Sequence, residues 1–99
     1  MQYSVEEMAR HAAMSVRSFH RSFKAVSGYS PYEWLLRERV RRAKELLAET
    51  DEPLDWIALH SGFSGLEALR PVFRRVVGVT PSQYRRTFGA RGGVRQGDR

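Results

Sequence analysis

Arg17, His20, Arg21 and Lys24 are the side chains whose types and spacing first suggest chemistry. Counted from Arg17, the others follow at three, four and seven residues, which gathers all four on one face of a helix. Arg presents a fork of donors that matches guanine O6 and N7, and an imidazole can donate to or accept from a base edge. Lys24 suits a phosphate. A later stretch offers Leu66, Glu67, Arg70, Pro71 and Arg74 in comparable positions. Leu66 fits a thymine methyl, Glu67 can accept from cytosine N4, Arg70 can reach a base and Arg74 a phosphate. Glu67 also stands three residues after Ser64, where it would complete a capping box, and that duty is the expected one. Ser30, Arg37, Thr80, Arg85 and Arg86 lie at or near two further helix starts. There free backbone amides and cations favour phosphate, which sets register and affinity without reading sequence.

Other chemistries find no support. Glu6, Glu7, Asp51, Glu52 and Asp55 sit at helix starts, where they favour the helix dipole. His11 and His60 fall near the ends of equivalent helices and form no metal-binding pair; Ser15 and Ser64 read as caps rather than nucleophiles. The converging groups that catalysis needs are missing, so neither an enzyme nor a cofactor site is expected. Cysteine is absent, which removes disulfides and thiolate metal sites and fits a reducing cytosol. No apolar run approaches the roughly 18 residues of a membrane span, and no secretory signal is visible at the N-terminus. Seventeen Lys and Arg, fifteen of them Arg, against eleven Asp and Glu give a net charge of +6. That balance points to a polyanionic partner.

The elements that must hold these side chains are helices throughout. Ser4 and Glu7 form a capping box for a helix to about residue 12, burying Val5, Met8, Ala9 and Ala12. After a break at Ala13 and Met14, Ser15 caps a second helix to about residue 27, with Val16, Phe19, Phe23 and Val26 predicted inside. Gly28 follows, where a helix end favours a residue free to take positive φ. Residues 30–49 read as one long helix, with Ser30 and Glu33 as a capping box and Pro31 at the first position. Leu36, Val40, Ala43 and Leu47 form its apolar stripe. About twenty helical residues span about 30 Å, close to one turn of duplex DNA.

After the turn at Thr50 to Pro53, a short helix without a clear cap should bury Leu54, Ile57 and Ala58. A break at Gly62 and Phe63 leads to a helix that starts after Ser64, buries Leu69, Val72, Phe73 and Val76, and ends at Gly78. Pro71 lies beyond its first turn, so a kink or a short non-α turn is expected near Glu67. Thr80, Pro81 and Gln83 start a last helix to about Phe88. Residues 89–99, GARGGVRQGDR, hold four of the eight glycines and read as a flexible basic tail.

The two halves repeat. Val5, Met8, Ala9, His11 and Met14 match Leu54, Ile57, Ala58, His60 and Phe63 at an offset of 49; Phe19, Phe23, Val26, Gly28, Ser30 and Trp34 match Leu69, Phe73, Val76, Gly78, Thr80 and Tyr84 at 50. Each half is helix, tight turn, helix, then a Gly and a Ser/Thr-Pro start to the next helix. The expected class is therefore all-α, with two helix-turn-helix subdomains joined by a long linker helix. The divisions are residues 1–29, the linker at 30–49, residues 50–88 and the tail.

The run AxxAAMSxRSFxRSFKxxxGxSPxEW, followed by RxRVRRAKELL, IAxxSGF and LRPVFRRVVGVTPSQYRR, resembles the DNA-binding domain of AraC/XylS-type transcriptional regulators. The resemblance covers about residues 4–88. It implies a bacterial transcription factor, working in the cytoplasm on the nucleoid, that binds an asymmetric double-stranded site through two adjacent major grooves. It further implies RNA polymerase as a partner and an effector-sensing domain elsewhere in a longer chain. AAMSVRSFHRSF and LRPVFRR resemble a subgroup whose sensor is amidotransferase-like. Pro71 departs from the pattern, because the family usually carries a polar or basic residue there. The rival reading is a helical protein-interaction module without specific DNA readout.

Overall fold

The computed structural model describes residues 4–89 and is helical throughout, with no strand among those residues. Six helices follow in order: α1 Val5–His11, α2 Val16–Ser27, α3 Pro31–Glu49, α4 Leu54–His60, α5 Leu66–Val77 and α6 Pro81–Phe88. The described residues divide into two compact units, one ending at Arg37 and the other beginning at Glu38, so the boundary falls within α3. The expected tail from residue 90 onward lies outside the described residues.

Most helix ends follow from local side chains. The Ser4 hydroxyl accepts from the Glu7 amide at 3.0 Å, and the Glu7 carboxylate accepts from the Ser4 amide at 3.3 Å. Ser15 accepts from the Ser18 amide at 3.2 Å, and Ser30 from the Glu33 amide at 3.1 Å. Thr80 and Gln83 complete a reciprocal box at 2.9 and 3.1 Å. Such bonds satisfy amides that a helix start leaves without an intrahelical acceptor. α2 and α5 both end at a glycine in the left-handed region, Gly28 at φ 86° and Gly78 at φ 97°.

α5 departs from expectation at its start. Its N-cap is Gly65, in extended backbone, with no side-chain capping bond, so the box expected from Ser64 and Glu67 is not formed. The added residue in the second half moves the helix start one place along. Glu67 thus becomes the second helical residue, one short of the box position. Pro71 does not break the helix, which runs continuously from Leu66 to Val77. The Gly65 carbonyl accepts from both Ala68 and Leu69 at 3.1 Å, a tightened first turn. Pro71 removes one donor in the next turn, and because Glu67 and Pro71 are both exposed, water can reach the carbonyl left over.

The second unit has a dense core. Val40, Ala43, Leu46 and Leu47 from α3, Ile57 and Ala58 from α4, and Leu69 and Phe73 from α5 are all buried, six of them fully. The first unit buries Ala9, Pro31, Leu35 and Leu36, but no residue of α2. Ala12 is exposed, and Val16 and Val26, expected inside, are 39% and 91% exposed; Phe19 and Phe23 are half-buried. A helical period identifies an apolar face, whereas burial needs another element lying over it.

The tight turns show the repeat at the level of backbone angles. Gly62 adopts φ 102°, and its equivalent Ala13 adopts φ 58° without a glycine's freedom. In each turn the next amide returns to the preceding helix, Met14 to the Ala9 carbonyl at 2.9 Å and Phe63 to the Ala58 carbonyl at 3.0 Å. The left-handed conformation costs a residue with a Cβ roughly 1–2 kcal/mol, partly offset by the greater chain entropy a glycine loses. Ala13→Gly should therefore stabilise the first unit by about 0.5–1 kcal/mol. Gly62→Ala should destabilise the second by at least about 1 kcal/mol, because an added Cβ would also meet the Arg39 side chain at 3.0 Å. Urea titrations followed through NMR signals of each unit test both, and the opposite sign in either would contradict the assignment.

Candidate nucleic-acid interface

α2 carries its cations opposite its aromatic residues. Arg17, Arg21 and Lys24 are exposed, while His20 is half-buried. At 100° per residue, His20 falls on the flank of the basic arc, next to the sector of Val16 and Phe23, which accounts for its lower exposure. Phe23 meets Trp34 edge-on, with ring centroids 5.8 Å apart, and stacks obliquely on Phe19 at 5.5 Å. The aromatic side thus fixes the helix on α3, and Arg17, Arg21 and Lys24 project from the other side.

The equivalent face of α5 is chemically weaker. Glu67, Arg70, Pro71 and Arg74 are exposed and Leu66 is half-buried. Phe73 meets Tyr84 edge-on at 5.8 Å, as Phe23 meets Trp34. Relieved of capping, Glu67 is free to accept a hydrogen bond from a partner. Pro71 occupies the place of Arg21 and offers no donor.

The flanking groups divide into free and engaged ones. Arg86 is exposed. Arg85 is half-buried and donates to the Thr50 carbonyl at 3.2 Å, tying α6 to the end of α3. Arg37 forms an ion pair with Glu33 at 3.0 Å and lies over the Tyr29 ring at 4.6 Å. The Ser30 and Thr80 hydroxyls serve as caps. The Glu33–Arg37 pair is legible in sequence as an i,i+4 spacing, but Thr50 lies 35 residues from Arg85, and only the fold brings them together. Further along α3, Arg41 bonds Glu38 at 3.1 Å and Glu45 at 2.7 Å, and Arg42 bonds Glu45 at 3.2 Å. The hydrogen bond it donates to Glu38, then the charges of Glu38 and Glu45, hold the Arg41 guanidinium above its ordinary pKa. Among the described residues no cluster of His, Asp or Glu could hold a metal ion, and no helix is long and apolar enough to cross a membrane.

Residues 8–87 match the model of a helix-turn-helix domain family. A putative AraC-like transcription regulator of Streptomyces antibioticus is 37% identical over 84 residues, covering 85% of this chain and 28% of the relative. The chain belongs to the AraC/XylS family of helix-turn-helix domains. The transcriptional activator RhaS of Escherichia fergusonii is 34% identical over 82 residues, 83% of this chain and 30% of its own length. Among solved structures, the DNA-binding domain of AdpA, crystallised with a target DNA, is 42% identical with a TM-score of 0.79; the match covers 85% of this chain and 76% of that one. An AraC-type regulator from Chromobacterium violaceum has a TM-score of 0.81 at 29% identity, over 91% of this chain and 80% of its own. This AraC-type domain spans about a third or less of the curated relatives it matches. The proteins it resembles carry the names of transcriptional regulators, not enzymes.

The unequal caps of this AraC-type domain are open to measurement. Thr80→Ala removes a formed capping bond and should cost about 0.5–2 kcal/mol. Ser64→Ala removes none and should stay within about 0.5 kcal/mol of the parent. Urea midpoints of the two variants should differ accordingly, and a larger loss at Ser64 would restore the capping box.

Proposed function

We propose that this chain binds double-stranded DNA sequence-specifically as the reading part of a bacterial transcription regulator. α2 and α5 are the recognition helices, each entering one of two successive major grooves. One observation carries the reading: the second helix of each repeated helix-turn-helix is pinned by the same aromatic pair and turns its charged face away from that pair. A helix so held presents its first turns to base edges while neighbouring groups take phosphate. The 42% identity to a domain crystallised on target DNA supports it.

Arg17, His20 and Arg21 read bases from the first unit, and Leu66, Glu67 and Arg70 from the second. Lys24, Arg74 and Arg86 meet phosphate, together with the α3 and α6 starts at Ser30 and Thr80. Arg37 and Arg85 contribute there only to the extent that their bonds to Glu33 and Thr50 leave donors free. Residues 1–29 and 50–88 act as the two readers, with 30–49 as the linker. An effector-sensing domain elsewhere in a longer chain, amidotransferase-like in the subgroup resembled, would govern when the domain engages DNA. RNA polymerase is the partner at a promoter, and the cytoplasm, at the nucleoid, is the compartment.

If about eight phosphates are contacted, affinity for duplex DNA should fall on the order of 10³–10⁵ between 50 and 200 mM salt. Sequences selected from random duplexes supply the site for that titration. An affinity indifferent to salt, or equal for any acidic polymer, would instead favour a protein-interaction module.

The two readers should contribute unequally, because Pro71 replaces Arg21. Arg21→Ala should cost about 1–3 kcal/mol and relax one base preference, given a bidentate contact to guanine. Arg70→Ala should weaken binding more evenly across sequences. Base-by-base substitution through both half-sites decides the ranking, and larger losses in the half-site read by α5 would reverse it.

A further inference from the structure

Val16 opens α2 and is 39% exposed, although the helical period assigns it to the apolar side. The structural duties open to an apolar residue at this helix start are filled by others. Ser15 caps the helix, and the two positions of a hydrophobic staple, one before the cap and four into the helix, belong to Met14 and Phe19. Met14 and Phe19 line the apolar groove of α2 together with Phe23 and Val26, and Val16 is not part of that lining. The repeat gives Val16 an equivalent in Leu66, the first residue of α5, at an offset of 50. Both recognition helices thus begin on an apolar side chain that the core does not fully cover, Val16 exposed and Leu66 half-buried. In a helix the Cα–Cβ bond tilts toward the N-terminus, so the first residue leads the side chains that meet base edges. Val16 stands one residue before Arg17 and four before His20, on the His20 flank of the basic arc.

We propose that Val16 is a specificity residue of the first reader, packing against the C5 methyl of a thymine at the base pair next to the one His20 reaches. This rests on α2 being a recognition helix. The thymine methyl is the apolar group that a base pair presents in the major groove, and an apolar side chain is its natural partner. A β-branched side chain has one strongly preferred rotamer in a helix, so the two Val16 methyls stand in a fixed place before DNA arrives. Cytosine carries hydrogen where thymine carries the methyl, which leaves a gap beside Val16, and its N4 donor would face an apolar surface. The first reader then selects in two ways, by hydrogen bonds from Arg17, His20 and Arg21 and by apolar contact at its leading residue.

The test replaces each thymine of the selected site by uracil, which removes the methyl and keeps the pairing, and measures the affinity of the parent chain, Val16→Ala and Val26→Ala. At one thymine, in the half-site whose base preference Arg21→Ala relaxes, uracil should lower the parent's affinity about fourfold, the effect of one methyl-sized group leaving an apolar contact. Val16→Ala should bind the thymine and uracil duplexes alike. Val26→Ala, at the 91% exposed valine further along the same helix, should keep the parent's preference. Uracil tolerated throughout that half-site, a half-site without thymine, or a thymine preference that survives in Val16→Ala overturns the proposal. A chain that in those cases still prefers its selected site to random duplex leaves the recognition-helix reading standing, whereas equal affinity for every duplex removes both.

Discussion

The edge-to-face aromatic pair is the interaction on which the arrangement of both units turns. Phe23 against Trp34 and Phe73 against Tyr84 have the same centroid separation, 5.8 Å, with interplanar angles of 69° and 76°. Such contacts are worth about 0.5–1.5 kcal/mol beyond the area they bury, and their geometry matters as much as their energy. Each pair joins the second helix of a helix-turn-helix to the first turns of the next helix, itself started by Ser-Pro or Thr-Pro. Rotation of the second helix about its axis is thereby restricted, and the direction of its charged face is set. Were the rings exchanged for flexible aliphatic residues, burial would survive better than direction.

The long helix α3 serves each unit in turn. Pro31, Leu35 and Leu36 are buried before the unit boundary and Val40, Ala43, Leu46 and Leu47 after it. Its polar surface is occupied largely by its own ion pairs, Glu33 with Arg37 and Arg41 with Glu38 and Glu45. Exposed pairs of this kind contribute little stability. Their larger effect is to hold Arg groups that sequence alone would count as spare cations, so the +6 charge overstates what α3 can offer a polyanion. The cations of α2 are not drawn into ion pairs of that kind, and that places the readable charge on the helix whose far side the aromatic pair secures.

Much of the candidate interface was legible because a face is a local property. The spacing of Arg17, Arg21 and Lys24 puts them together on any α-helix, and burial of Phe19 and Phe23, even partial, leaves them outward. His20 was harder, since a residue on the flank of two faces takes its exposure from small rotations. Glu67 was misread because the capping-box pattern holds only if the helix starts after Ser64. Gly65 moved the start by one residue, and with it the role of the acid. Pro71 looked disruptive by propensity, yet near a solvent-facing helix start its missing donor leaves a carbonyl that water can satisfy.

The sequence by itself determined the helices, most of their capped and glycine-terminated ends, the duplication and the sign of the exposed faces. All of these rest on interactions within about four residues, where covalent geometry leaves few options. Only the tertiary structure decided which apolar faces are covered, and it treats the two halves differently. Leu69 and Phe73 lie fully inside while Val26, predicted inside by the same period, stands 91% exposed. It also decided that Arg85 reaches Thr50 and that the Arg39 side chain passes close over Gly62. Burial and long-range bonds depend on which element lies opposite, and no periodicity within a segment specifies its neighbour.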